Sequence, residues 1–451
     1  MLKITLYLFV LLSVKAYSQT VENMSPQQIK GDVEFMIHSI EDISVNPYFK
    51  ISKGKFVKQI KLAEQDILKK PEVNSIDFYK VFQPVIVKLQ DGHTVLNIYD
   101  FLAETDYLIF PFVIDISENS LFIKSIKIGY KETIHQNLVG REIKNINGQT
   151  SKQILKLFSN YTSGESKRSR IALSKYYFNN YYNLFLTKGK ELSISLDNNE
   201  EFKIHVLKKS ERIVKPQNNE IGKNFSFGIN KNYAVLNFKS FSDLEGFKTF
   251  LKNMFSDLKE NNIKNLIIDI RDNSGGNSEL GDELFKYLLS EPYSQYQKTI
   301  VKYRGTHKQT LKNKTNTEDE AVQTTLQKPS GDIETINKSL SLTNPKEASE
   351  RFNGNVYLLI SGQTFSSASD FANAFKYYKA GSVIGEETGG FVVSPGEIVE
   401  IQLPNSKLFF NLSSTKDFGI GTTEKDWHGV IPDFRVLSKD ALDFTLTKFI
   451  K

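Results

Sequence analysis

The sequence predicts an α/β fold: a core whose sheet contains parallel strands, preceded by a helical N-terminal region and a β-rich domain. Three observations predict it. From about residue 222 apolar strands alternate with amphipathic helices, the pattern of βαβ crossovers around a buried parallel sheet. Between about 108 and 215 short β-rich stretches dominate, and before about residue 90 the apolar periodicity is helical. At 451 residues the chain exceeds one ordinary core, so two or three domains are expected. The expected divisions are 1–18, 19–100, 101–220 and 221–451, the last with a polar insertion at about 305–350.

The first segment, MLKITLYLFVLLSVKAYSQ, has an early Lys3, an apolar run from Ile4 to Val14 and small residues at Ala16 and Ser18. That run is too short to span a bilayer and reads as a cleavable signal peptide with a cut near Ser18. It places the mature chain in the periplasm or outside the cell. No cysteine follows, so a lipid anchor is not indicated, and with no cysteine anywhere the chain has no disulfides, thiol nucleophiles or thiolate metal sites. A net charge of +6 with interspersed signs gives no reason to expect nucleic acid as a partner.

Ser25-Pro26-Gln27-Gln28 has the residues of a helix start, with Ser at N-cap, Pro at N1 and Gln at N3. Helical sequence then runs to about 90 and ends at Asp91-Gly92-His93-Thr94, a turn leading into a strand over Val95–Ile98. The stretch Gly140 to Gly148, followed by SKQILKLF, resembles the strand, turn and helix of a PDZ domain. Two readings of this region stay open: a domain that adds a peptide strand to its sheet edge, or a β-rich packing domain without a ligand. Tyr233–Phe238 is an expected strand, and Ser242 with Glu245 an expected capping box. The stripe Leu244, Phe247, Leu251, Met254 and Leu258 follows, then a strand at Leu266–Ile270. A second unit runs from Val356–Ile360 through a helix near Ala368–Tyr378 to Val383-Ile384.

Three places join turn chemistry to reactive groups. In Arg271-Asp272-Asn273-Ser274-Gly275-Gly276-Asn277 the paired glycines let backbone amides approach a substrate closely, as an oxyanion site requires. Ser366 and Ser367 occupy the first turn of a helix after a strand, where backbone amides favour developing negative charge, although serines at helix starts are commonly caps. His93 supplies a side chain that titrates near neutrality and can take a proton from a hydroxyl, although a lone histidine in a turn is commonly a solvated loop residue.

These residues resemble a known family. IIDIRDNSGGN is similar to the strand and Gly-Gly turn of carboxyl-terminal processing, or tail-specific, proteases. QTFSSASDFANAF and VIGEETGG resemble that family's nucleophile helix and following strand, and Gly429-Val430-Ile431-Pro432-Asp433 and the Asp-Gly-His-Thr turn extend the resemblance over nearly the whole mature chain. It implies a ClpP/crotonase-like core and a serine endopeptidase acting on polypeptide without a cofactor or metal. Matching Phe371-Ala372 and Gly385-Glu386 to the family's pairs puts the nucleophile on Ser366. The amide of Ser367 and those of Gly275 or Gly276 then form the oxyanion hole. Many members use a lysine where this chain has Phe391, so the resemblance is to the tricorn-like branch with Ser, His and a carboxylate. That implies His93 as general base and Asp426 as the acid, with Glu424 as the alternative acid and His428 as a competing base. Ser369 stands where the family has an acid, leaving Asp370 as a shifted substitute.

Two other classes are weighed against this one. A peptide-binding scaffold of the same fold would keep the architecture and cut nothing. A metallopeptidase is disfavoured because the six histidines, at 38, 93, 135, 205, 307 and 428, form no His-x-x-x-His pair.

Overall fold

Ser25 begins the first helix by reciprocal capping. Its Oγ accepts from the Gln28 amide at 3.3 Å, and Gln28 Oε1 accepts from the Ser25 amide at 2.8 Å. This computed structural model describes residues 23–450 apart from 104, 118–119, 131–133, 135, 212–223, 304–307 and 309–319; the expected signal peptide and part of the polar insertion lie outside the described residues. Helices α1 (Pro26–Ile43), α2 (Lys53–Ile67) and α3 (Ser75–Ile86) lead to β1 (Val95–Asn97). None of the helices among the described residues is long and apolar enough to cross a membrane.

An antiparallel sheet follows from β2 (Phe112–Ser117), β3 (Ser120–Ile126), β4 (Glu142–Ile146), β5 (Gln149–Thr150), β6 (Glu191–Leu196) and β7 (Glu201–His205), in the order β2-β3-β4-β6-β7 with β5 on β4. The second half supplies β8 (Phe225–Ile229), β9 (Tyr233–Phe238), β10 (Asn265–Asp269), β11 (Tyr296–Lys302), β12 (Ile333–Asn337), β13 (Asn355–Ile360), β14 (Ser382–Gly385), β15 (Val393–Gln402), β16 (Phe409–Gly419) and β17 (Phe434–Arg435).

Strands β17-β14-β13-β10-β9-β8 form one sheet, parallel from β17 to β9, with β8 antiparallel on β9. Its central strands β10 and β13 are apolar over Leu266–Ile268 and Val356–Ile360 because both faces are covered. Leu266, Ile268, Leu358 and Ile360 pack among the helices of one face, while Ile267, Leu359 and Ile384 meet the C-terminal helix Ala441–Phe449 on the other. Each such buried side chain contributes about 1.5–3 kcal/mol. The helix after β9 begins one residue later than Ser242 predicts. Asp243 is its cap and accepts from the Gly246 amide at 3.0 Å, whereas the Ser242 hydroxyl is taken by Ser240 at 2.7 Å. A carboxylate at that end also meets the positive pole of the helix.

The remaining sheet joins distant parts of the chain. β1 pairs antiparallel with β16, which also carries β15 and β11, and β12 pairs with β11. Two buried polar groups fix this arrangement. The Asp32 carboxylate of α1 accepts from the amides of Asn405 and Ser406, at 3.0 and 2.8 Å, in the turn between β15 and β16. Gln83 of α3 accepts from the Leu96 amide of β1 at 2.9 Å and donates to the Tyr161 carbonyl at 2.9 Å. Gln83→Leu is expected to leave that amide and that carbonyl unpaired in the core and to lower stability by about 2–4 kcal/mol. Urea unfolding measures this, and a loss under about 1 kcal/mol would show that Gln83 is not the clamp.

Candidate active site

Ser366 lies at the junction of β13 and helix Ser367–Tyr377, in the cap position. Its hydroxyl does not cap the helix. It faces His93 Nε2 at 3.1 Å instead, across 273 residues of sequence. The Ser366 backbone has φ 52° and ψ −133°, a conformation that a residue with a side chain rarely holds. Glycines on two sides make room for it: a Cβ at Gly275 would fall 2.8 Å from Ser366 Cβ, and one at Gly390 would fall 2.7 Å from the Ser366 nitrogen. Three bonds tie the loop before Ser366 to the β10 loop: the Phe365 amide donates to Asn273 O at 3.0 Å, Thr364 Oγ1 to Ile270 O at 2.9 Å and Ser361 Oγ to Arg271 O at 2.5 Å.

His93 is held by the turn that contains it. Asp91 accepts from the amides of His93 and Thr94 at 2.9 and 3.3 Å, from Thr94 Oγ1 at 2.6 Å, and from the Ser413 hydroxyl of β16. Ser163 Oγ donates to the Thr94 carbonyl at 2.7 Å. The imidazole packs on the Phe365 ring with centroids 5.1 Å apart. Gly92 leaves space for that ring, since a Cβ there would fall 2.5 Å from it. Burial pushes the His93 pKa down, opposed by the charges of Asp91 and Asp417 and by the Pro395 carbonyl. Even so, His93 Nδ1 is buried and has no hydrogen-bond partner among the described residues.

The expected oxyanion donors are sorted by the backbone. The Gly275 amide is committed to Asn273 Oδ1 at 2.9 Å, so this glycine serves the close approach to Ser366 rather than donation. Among the described residues the Gly276 and Ser367 amides have no acceptor, and Ser367 Oγ donates to the Gly276 carbonyl at 2.6 Å, drawing the two segments together. Both residues line the same cleft of about 1230 Å³ as Ser366 and His93.

Asp426 is placed differently from the expectation. Its Oδ2 accepts from the Thr423 amide and hydroxyl at 2.7 and 2.8 Å, and its Oδ1 stands 3.8 Å from His428 Nε2. A short carboxylate three residues from a threonine is captured locally, so it is not hydrogen-bonded to His93. Glu424 is paired with Lys416 at 2.6 Å. His428 turns Nδ1 to the Gly429 carbonyl at 2.7 Å. Phe391, at the lysine position of other members, packs edge-on against Trp427.

The carboxylates whose charges oppose the lowering of the His93 pKa by burial are Asp91 and Asp417. Asp91 sits in the quoted turn, and its place two residues before His93 is the pattern of a side chain that folds back onto its own backbone. Asp417 lies on β16 with no motif around it, paired across to Thr299 of β11 and Ser394 of β15, so only the strand pairing reveals it. Asp370 is buried, accepts from the Tyr296 hydroxyl at 2.8 Å, and is pushed up to about 8 by burial and by Asp417. Glu165, packed beside Gly92, is likewise pushed up to about 8 by burial, and neither of its oxygens has a hydrogen-bond partner among the described residues.

Residues 232–436 match the family model of peptidase family S41. Mature CPAF is similar in structure with 14% identity and a TM-score of 0.63, over 94% of this chain and 96% of that one. The complex of mature CPAF with lactacystin gives 14%, 0.64, 94% and 97%. The photosystem II D1 C-terminal processing protease gives 13% and 0.45 over 92% of this chain and 94% of that one. No curated protein matches the sequence. At these identities the CPAF likeness shows a shared fold.

A general base works only when neutral, and burial holds His93 below the ordinary imidazole value of 6.5. The acid limb of kcat/KM is therefore expected below pH 6.5, and a midpoint above it in a pH profile would contradict this placement. Gly92→Ala is expected to displace Phe365 or His93 and to lower kcat at least about tenfold, with no comparable loss in thermal stability.

Proposed function

Because residues 232–436 belong to peptidase family S41 and the chain is a serine peptidase, we propose that it cleaves polypeptides through an acyl-enzyme on Ser366 with His93 as general base. The observation that carries this reading is the 3.1 Å contact between Ser366 Oγ and His93 Nε2. In the first step the hydroxyl proton passes to Nε2 as Oγ bonds to the peptide carbonyl carbon. Collapse of that adduct breaks the C–N bond, and the imidazolium returns the proton to the leaving amine. Water then attacks the ester with His93 again as base. The amides of Gly276 and Ser367 receive the oxyanion, a contribution on the order of a hundredfold in rate.

With Asp426 engaged by Thr423, stabilisation of the imidazolium falls in this reading to the fields of Asp91 and Asp417. Asp91 fixes the ring's backbone, and Asp417 lines the cleft beside it. The N-terminal apolar run Ile4–Val14 supports action in the periplasm or outside the cell.

Ser366→Ala and His93→Ala are each expected to lower kcat on an unfolded protein substrate by about 10⁴-fold or more. Asp426→Ala is expected to lower it less than about tenfold. Loss of cleavage in Asp426→Ala equal to that in His93→Ala would restore the acid role to Asp426. Undiminished cleavage by Ser366→Ala, or none by the wild type, would favour the peptide-binding scaffold.

A further inference from the structure

The cleft at Ser366 has acidic walls, of which the reaction proposed above uses only Asp417. Asp370 lies one helical turn beyond the nucleophile, its amide donating to the Ser366 carbonyl at 3.1 Å. The residue is 8% exposed and lines the cleft. Its Oδ2 accepts from Tyr296, and its Oδ1 has no hydrogen-bond partner among the described residues. Asp417 lines the same cleft, accepts from Thr299 Oγ1 at 2.7 Å and Thr415 Oγ1 at 2.9 Å, and bears on Asp370 through its charge. Asp282, a third carboxylate of the lining, accepts from Gln295 Nε2 at 2.9 Å.

None of these three is in an ion pair with lysine or arginine among the described residues, and Lys338, which also lines the cleft, pairs with none of them. Asp370 is buried and Asp282 and Asp417 are half-buried, and a buried carboxylate without a cation is costly. Tyr296, Leu173 and Phe365 line the same cleft and give it apolar surface of the kind that covers the stem of a long charged side chain. Deepening the serine-peptidase reading and resting on it, we propose that this part of the cleft is a subsite for a Lys or Arg side chain of the substrate, on the acyl side of the scissile bond, with Asp370 meeting its charge and Asp417 flanking it. The side chain must start beside the attacked carbonyl to reach a carboxylate one turn from the nucleophile. That places it on the residue whose carbonyl Ser366 acylates.

The test is digestion of a proteome-derived peptide library, with the residue before each cut identified by mass spectrometry and Ser366 occupancy followed with a fluorophosphonate probe. Lys and Arg are expected at least about tenfold enriched before the cut. Asp370→Asn is expected to bring that enrichment to about onefold while still taking up the probe, which shows that it is folded. Probe labelling of the wild type without Lys or Arg enrichment overturns the subsite and leaves the serine chemistry standing. Enrichment that survives unchanged in Asp370→Asn overturns the assignment to this carboxylate. Neither labelling nor cuts in the wild type overturns the subsite together with the reading beneath it.

Discussion

One hydrogen bond organises the molecule: the 3.1 Å contact between a hydroxyl at residue 366 and an imidazole at residue 93. No local structure can make it, because the partners belong to separate supersecondary units. The β1–β16 ladder makes it, laying the strand that follows His93 against a long strand of the second half. Asp91 reinforces the join by bonding both the His93 amide and the Ser413 hydroxyl on β16. The N-terminal helices thus hold the frame of this contact, since Gln83 binds β1 at Leu96 and Asp32 binds the turn that leads into β16.

The same frame explains where strain is tolerated. Ser366 holds its positive φ because the β10 loop, the Thr364 and Phe365 bonds and the close approach of Gly275 and Gly390 fix it from every side. The hydroxyl is thereby denied the cap it would otherwise make and is turned to His93. Close packing transmits this constraint: the Phe365 ring touches His93 on one side and fills the space that Gly92 leaves on the other.

Much of this was legible in the sequence, for identifiable reasons. The parallel sheet was legible because a strand buried on both faces reads as a near-continuous apolar run, as Leu266–Ile268 and Val356–Ile360 do. Short motifs singled out Ser366 and His93, and the fold brings the two side chains to 3.1 Å. The cap at Asp243 was missed because two adjacent residues could both serve. The β15–β16 hairpin was not anticipated, and with it went Asp417, whose importance comes from cross-strand pairing that no local pattern encodes. Asp426 stands where the resemblance implies the acid, and a threonine three residues away binds its carboxylate, which no chain position reveals. Gly275 likewise sits in the right motif, yet Asn273 consumes its amide.

The acidic cleft and the nucleophile are one device in this account, since Asp370 rides on the helix that Ser366 opens. What that device requires first is a serine hydroxyl activated by His93. The most direct measurement is tandem mass spectrometry of the chain after exposure to a β-lactone that acylates activated hydroxyls. A single adduct on Ser366 is expected, formed at least about a thousandfold more slowly in His93→Ala. An adduct on Ser367 or Ser369, or equal rates with and without His93, would contradict it.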